Sequence, residues 1–92
     1  MRIDRVDCDE ETELHIWSRH RVHSREVTEA ASSLRFIIRG RSRGVYELFG
    51  RSEAGRYLTV IIRYLGGGVV RVITARDMNW TERRRYDRHT AH

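Results

Sequence analysis

The sequence predicts an α+β domain: two N-terminal helices, a four-stranded antiparallel meander sheet and a C-terminal helix. Three observations point there. Residues 9–33 carry helical signals, with acids in an opening turn and Ser24 placed as a cap before Val27, Ala30 and Ala31. Residues 34–76 hold four blocks rich in β-branched and aromatic side chains, separated by short turns containing Gly, Ser and Arg. Asn79-Trp80-Thr81-Glu82 spells a capping box ahead of a last helical run. Strand connections this short require antiparallel neighbours, because parallel neighbours need a crossover.

In chain order, the first helix is expected over residues 9–20, with Leu14 and Trp17 as its apolar stripe, extended by Ile16. Residues 21–23 form a short link to a second helix over 24–33. Two helices so closely joined should be antiparallel or steeply crossed. Strands follow at 34–39, 45–52, 57–65 and 69–76, with turns at 40–44, 53–56 and 66–68. The final helix is expected over 80–88. Strict alternation in the last strand places Arg71 with Ile73 and Ala75 on one face, and Arg76 with Val70, Val72 and Thr74 on the other. Helices cover one face of such a sheet, leaving the other partly open to a partner.

Ninety-two residues make one domain with a thin core. The ordered apolar blocks exclude a disordered chain, and the longest, residues 58–62, is far too short to span a bilayer. The opening residues Met1-Arg2-Ile3-Asp4 show no apolar signal region, so a cytoplasmic location is expected. Cys8 is alone, which excludes an internal disulfide and suits a reducing compartment. Its acidic neighbours should keep the thiol at or above its ordinary pKa, and so inert.

Charge is more informative. All 18 basic residues are Arg, a pattern that codon bias in a GC-rich genome produces without functional cause. Residues 1–13 hold six acids against two Arg, whereas residues 14–92 hold sixteen Arg against seven acids. The uneven pattern favours a polyanionic partner, nucleic acid first and an acidic protein second. No segment is a basic amphipathic helix with an aromatic face, so a membrane surface is not the expected partner.

Signals for a cofactor or metal are missing. Gly66-Gly67-Gly68 joins two strands rather than opening a helix, so it reads as a hairpin turn and not a phosphate loop. His15, His20 and His23 lack a Cys partner or a His pair four apart around a Glu, and His89 and His92 are terminal and read as solvated. The denser constellation is Arg56, Arg63, Tyr64, Arg71 and Arg76, gathered across the hairpin of the last two strands. Arg83, Arg84, Arg85 and Arg88 spread around the final helix, with Arg84 and Arg88 stacked four apart. For most of the arginines a solvated or salt-bridged surface group is the better reading, while those of the final helix serve equally as a solubilising face or as phosphate contacts.

Four stretches give the chain a family resemblance. Arg19-His20-Arg21-Val22 stands where the BrnT family has a Lys-His-Gly-Ile/Val turn. Gly55-Arg56-Tyr57-Leu58-Thr59-Val60 is similar to its Gly-Arg-hydrophobic-Leu-hydrophobic-Val strand opening. Arg71-Val72-Ile73-Thr74-Ala75-Arg76 is similar to its Arg-Ile-Ile-Ser-Ala-Arg strand, and Glu82-Arg83-Arg84-Arg85-Tyr86 to its Glu-Arg-x-x-Tyr helix. The order covers nearly the whole chain. BrnT proteins are toxins of type II toxin–antitoxin pairs with a fold like RelE and ParE, so the resemblance implies a single toxin domain over residues 1–92.

It further implies metal-independent RNA cleavage through the RNA 2′-hydroxyl, neutralisation by a cognate antitoxin, and self-association. Carried onto this chain, it assigns Arg56, Arg71 and Arg76 to phosphate binding and charge stabilisation and His20 to proton transfer, with Tyr86 and Glu82 in reserve. By their charge, Arg19, Arg63, Arg84 and Arg88 are expected as RNA contacts beside them. Three positions depart from the pattern: Arg19 replaces Lys, Arg21 replaces Gly, and Ile16 replaces an Asn. The competing readings are a non-catalytic module that keeps the fold and binds an acidic peptide or nucleic acid, and an unrelated α+β protein with Arg-rich solvated faces.

Overall fold

The structure, a computed structural model, describes residues 1–91. It runs β1 (Arg5–Asp7), α1 (Glu10–His20), α2 (Ser24–Ser32), β2 (Phe36–Arg39), β3 (Val45–Arg51), β4 (Tyr57–Gly66), β5 (Val69–Asp77) and α3 (Trp80–Thr90). The sheet has five strands in the order β1-β5-β4-β3-β2. The meander of β2 to β5 is antiparallel as expected, but β1 adds a parallel edge against β5, with Arg5 opposite Val69 and Asp7 opposite Arg71. The sheet is therefore mixed and five-stranded rather than an antiparallel four. β1 escapes a periodicity search because Val6 is its one apolar residue. It is held by backbone, with Asp4 and Arg5 N–H donating to the Gly68 carbonyl at 2.6 and 3.2 Å. His92 lies outside the described residues.

Caps set the helix bounds. The Asp9 carboxylate accepts from Thr12 N–H at 2.8 Å, so Asp9 caps α1 instead of opening it. For α2 the cap is His23, not Ser24, and Glu26 reaches back to the His23 N–H at 3.1 Å. Asn79 and Glu82 form the anticipated capping box of α3.

Arg21 ends α1 in the left-handed region at φ 53°, the one non-glycine residue with positive φ among those described. Arg thus holds the backbone geometry for which Gly is the natural choice.

The stripe assigned to α1 is wrong in detail. Ile16 is wholly buried, whereas Leu14 is 69% exposed and Trp17 41%. A helix laid against one strand, β5, presents a narrow face, and Ile16 together with Val22 fills it. Trp17 instead stacks on His23, with ring centroids 4.4 Å apart. Val27, Ala30 and Ala31 of α2 are buried as expected. They meet Leu48, Leu58, Val60, Ile62, Val70, Val72 and Ala75 from the sheet.

The second sheet face is partly covered too. α3 crosses the β2–β3 end there, with Tyr86 edge-on to Tyr57 and His89 against Phe36 at 4.0 Å between centroids. His89 is therefore in ring contact and not simply solvated.

The most consequential difference lies in β5. Ile61 pairs with Thr74 and Ile62 with Val72, so Ile73 has no partner across the ladder. This β-bulge shifts the alternation by one. Val70 and Val72 face the helices before it, and Ala75 does so after it. Arg71 (opposite Arg63), Thr74 (opposite Ile61) and Arg76 (opposite Thr59) consequently share the other face. The alternation read from sequence, with Arg71 and Arg76 on opposite faces, is corrected by one residue of slip.

Ile16→Ala should cost about 2–5 kcal/mol in a urea melt, and Leu14→Ala should stay within about 0.5 kcal/mol of the parent. The reverse order would show that α1 packs through Leu14.

Candidate nucleic-acid interface

The sheet face turned away from α1 and α2 is covered by α3 only at one end. Beyond α3, cross-strand rows run Ile38, Glu47, Ile61, Thr74 and then Val45, Arg63, Arg71. Arg63 and Arg71 are exposed, while Glu47 and Ile61 are half-buried. A shallow cleft lined by Gly40, Arg41, Ser42, Val45, Glu47, Ile61 and Arg76 lies between the β2–β3 turn and Arg76 of β5. Glu47 is the one carboxylate among those lining residues, and its charge acts on Arg76. Neither the turn nor Glu47 carries a recognisable motif. Both acquire a place only when the strands pair.

Arg76 is held by Glu82. Its two terminal nitrogens donate to the two Glu82 oxygens at 2.7 and 2.9 Å, and Nη1 also reaches the Asp77 carbonyl at 3.2 Å. Glu82 in turn accepts from Thr59 Oγ1 at 3.0 Å and from Asn79 N–H at 2.9 Å. The bonded Arg76 guanidinium drives the Glu82 carboxyl below its ordinary pKa, reinforced by Asn79 and Thr59 against the effect of burial. A guanidinium carries five N–H groups, and this geometry uses three. The edge formed by Nε–H and the second Nη2–H makes no hydrogen bond to the described residues, and an edge of that shape suits an oxyanion.

Arg56 is different. Nε and Nη2 grip Asp77 at 2.7 and 3.1 Å, and Nη1 donates to the Arg21 carbonyl at 2.7 Å and to Glu26 at 3.2 Å. Nη2 also donates to the His20 carbonyl at 3.1 Å. All five N–H groups are engaged inside the protein. Arg56 therefore ties the left-handed end of α1 to β4, β5 and α2, and it has no donor left for phosphate. Its bond to Asp77 holds that carboxyl below the usual range, with the His20 charge adding to the effect.

The remaining predicted residues are dispersed. His20 is half-buried at the end of α1, beside Asp77 and on the helix-bearing side, and makes no hydrogen bond to Arg71 or Arg76. Tyr86 is buried beneath α3 with its hydroxyl donated to the Leu34 carbonyl, and burial raises its pKa. The ring is a core cap and not a proton donor on the open face.

Arg19, Arg84 and Arg88 are exposed, with Arg84 stacked over Trp80 at 4.7 Å. Burial, and then Glu13 and Asp9, push the Cys8 thiol up. Among the described residues, no three His, Cys, Asp or Glu side chains converge as a metal site requires.

No protein-family model matches this sequence, and no curated protein matches it. The fold does match. The crystal structure of the Brucella abortus ribonuclease toxin BrnT superposes with a TM-score of 0.68 at 13% identity, covering 82% of this chain and 96% of that one.

The chain has the BrnT fold.

Within the BrnT fold as this sequence builds it, the similar motifs do unlike work. The Gly-Arg strand opening supplies a clamp through Arg56. The Arg-Val-Ile-Thr-Ala-Arg strand supplies the bulge and the two arginines it aligns. The Glu-Arg-x-x-Tyr helix supplies the carboxylate on Arg76 and a buried ring.

Arg56→Ala should cost roughly 2–3 kcal/mol at neutral pH, because it strands Glu26, Asp77 and two carbonyls at once. Asp77's folded pKa is depressed, so its contribution is present above the unfolded carboxylate range and lost as pH falls through the folded value. The stability gap between parent and variant should therefore narrow below pH ~4 in denaturant melts. A gap that stays constant or widens in acid contradicts the clamp.

Proposed function

We propose that this chain is a metal-independent ribonuclease toxin that works on the open face of its sheet. The observation carrying this reading is the alignment, by the Ile73 bulge, of Arg71 and Arg76 with Arg63 and Glu47 on the face that α3 covers only at one end. The BrnT fold supports it.

The chemistry needs no bound group. RNA supplies its own nucleophile, the 2′-hydroxyl, which attacks the adjacent phosphorus. Glu47 accepts the hydroxyl proton, the phosphorus–O2′ bond forms and the phosphorus–O5′ bond breaks, with a water protonating the departing 5′ oxygen. The free edge of Arg76 bonds the non-bridging oxygens as charge builds on them, and Arg63 and Arg71 offset the rest. Glu82 keeps Arg76 in one orientation, so no reorganisation is needed when the charge develops. A cognate antitoxin that covers this face would exclude RNA and so neutralise the activity.

The second reading, a non-catalytic binding module, draws on one observation: Glu82 already occupies one edge of Arg76, and His20 lies on the far side of the sheet.

Cleavage of a labelled single-stranded RNA in excess EDTA separates the two. Glu47→Gln should slow it about 100-fold, and Arg76→Ala about 100- to 1,000-fold. Arg71→Ala should weaken binding, and His20→Ala should remain near wild type. RNA that is bound but left intact by the wild type establishes the binding module. An inactive His20→Ala beside an active Glu47→Gln moves proton transfer to the helix side.

A further inference from the structure

The β2–β3 connection reads Arg39-Gly40-Arg41-Ser42-Arg43-Gly44, with arginine and a small residue alternating. Composition alone leaves this a solvated turn, but the structure shows a built one. Gly40 N–H donates to the Val45 carbonyl at 2.8 Å and Val45 N–H to the Ser42 carbonyl at 3.0 Å. The Gly44 carbonyl accepts from Tyr64 N–H of β4 at 2.9 Å, and the Arg43 carbonyl accepts from Arg63 Nη1 at 3.3 Å.

Both glycines are needed. A Cβ on Gly40 would lie 2.9 Å from Val45 Cγ1, and Gly44 has φ 77°. The turn is thus pinned in place with Arg39, Arg41 and Arg43 exposed.

Its electrostatics are unbalanced. Arg39, Arg41, Arg43 and Arg63 form no ion pair with the described residues, and Arg71 forms none either though its charge acts on Asp9, whereas the carboxylates of Asp4, Asp7, Glu26, Glu29, Asp77 and Glu82 are committed to other arginines. Arg63 and Arg71 stand directly opposite in the ladder, an arrangement that destabilises a sheet through like-charge repulsion. An anion laid across them relieves that repulsion. Arg41 lines the same shallow cleft as Glu47 and Arg76.

We infer that the turn is a phosphate anchor: Arg41 and Arg43 hold the backbone of a single RNA strand beside the phosphate that faces Arg76. This rests on the proposed ribonuclease reading and assigns that site its strand-gripping element. Two guanidiniums carried on a pinned backbone turn suit successive phosphates, since each binds a doubly accepting oxygen pair without needing a particular base. The strand would then run across Arg63 and Arg71 with its 2′-hydroxyl over Glu47. The turn binds and positions, and takes no part in bond making.

The test is fluorescence anisotropy of a labelled single-stranded RNA against a salt series, with Arg41→Gln/Arg43→Gln compared with wild type and with Arg84→Gln/Arg88→Gln on α3. Each lost contact to a single strand should flatten the log–log slope by about 0.7, so the turn variant should lose about 1.4. Arg84→Gln/Arg88→Gln should keep more of the slope. At subsaturating RNA the turn variant should cleave more slowly than wild type, in step with its lost affinity. Matching far-ultraviolet circular dichroism melts keep misfolding out of the comparison.

A wild-type slope in the turn variant overturns the anchor while leaving the ribonuclease reading intact. So does loss of affinity for poly-L-glutamate with RNA binding unchanged, which makes the turn a protein-docking element. Absence of any salt-dependent RNA binding by the wild type overturns both.

Discussion

β5 must bury Val70, Val72 and Ala75 against two helices, and those residues are spaced by two and then by three. A flat strand cannot satisfy both spacings, because side chains alternate with a period of two. The ladder resolves this by leaving Ile73 unpaired. That single slip decides the character of the molecule. With it, Arg71 and Arg76 look out from the same face as Arg63, Ile61 and Glu47. Without it, Ala75 would leave the core and Arg76 would turn into it, or else Val70 and Val72 would turn out. The demand of the core for apolar contact is worth roughly 25 cal/mol per Å² buried. It therefore sets the positions of the charges as firmly as any interaction among the charges themselves.

The arginines divide by how many donors each has left. Arg56 spends all five N–H groups on Asp77, Glu26 and the carbonyls of His20 and Arg21. In doing so it stabilises an α1 terminus whose last residue, Arg21, sits at φ 53° where glycine would be relaxed. Arg76 spends three and keeps an edge. Arg63 and Arg71 form no ion pair within the described structure. A uniform basic composition thus separates into a structural clamp, an arginine held along one edge and loose surface cations, and Arg76 shares the open sheet face with Arg63 and Arg71.

The meander, the three helices and the capping box were legible because each depends on neighbours in sequence: β-branched runs between turns, an acid at a helix start, Asn79 three residues before Glu82. What was not legible depends on tertiary partners. β1 has one apolar residue and is fixed by the Gly68 carbonyl, so nothing in Arg5-Val6-Asp7 announces it. Leu14 and Trp17 satisfy helical spacing as well as Ile16 does, and only the position of β5 chooses between them. The bulge is invisible in Val72-Ile73-Thr74-Ala75, where either alternation is apolar enough. Motif resemblance singled out residues but could not place them relative to one another. His20 and Arg76 share a pattern and stand on different sides of the sheet, while Glu47 belongs to no motif and stands beside Arg76.

The most direct measurement of the central claim is the chemistry of the ends left on a short RNA incubated with the purified protein in excess EDTA, read by mass spectrometry. Attack by the neighbouring 2′-hydroxyl on a face lined by Glu47, Arg71 and Arg76 leaves a 2′,3′-cyclic phosphate on one fragment and a 5′-hydroxyl on the other. A substrate with one 2′-deoxy residue should escape cleavage at that step. Fragments ending in a 3′-hydroxyl and a 5′-phosphate, or cleavage that proceeds at the deoxy position, would contradict the account.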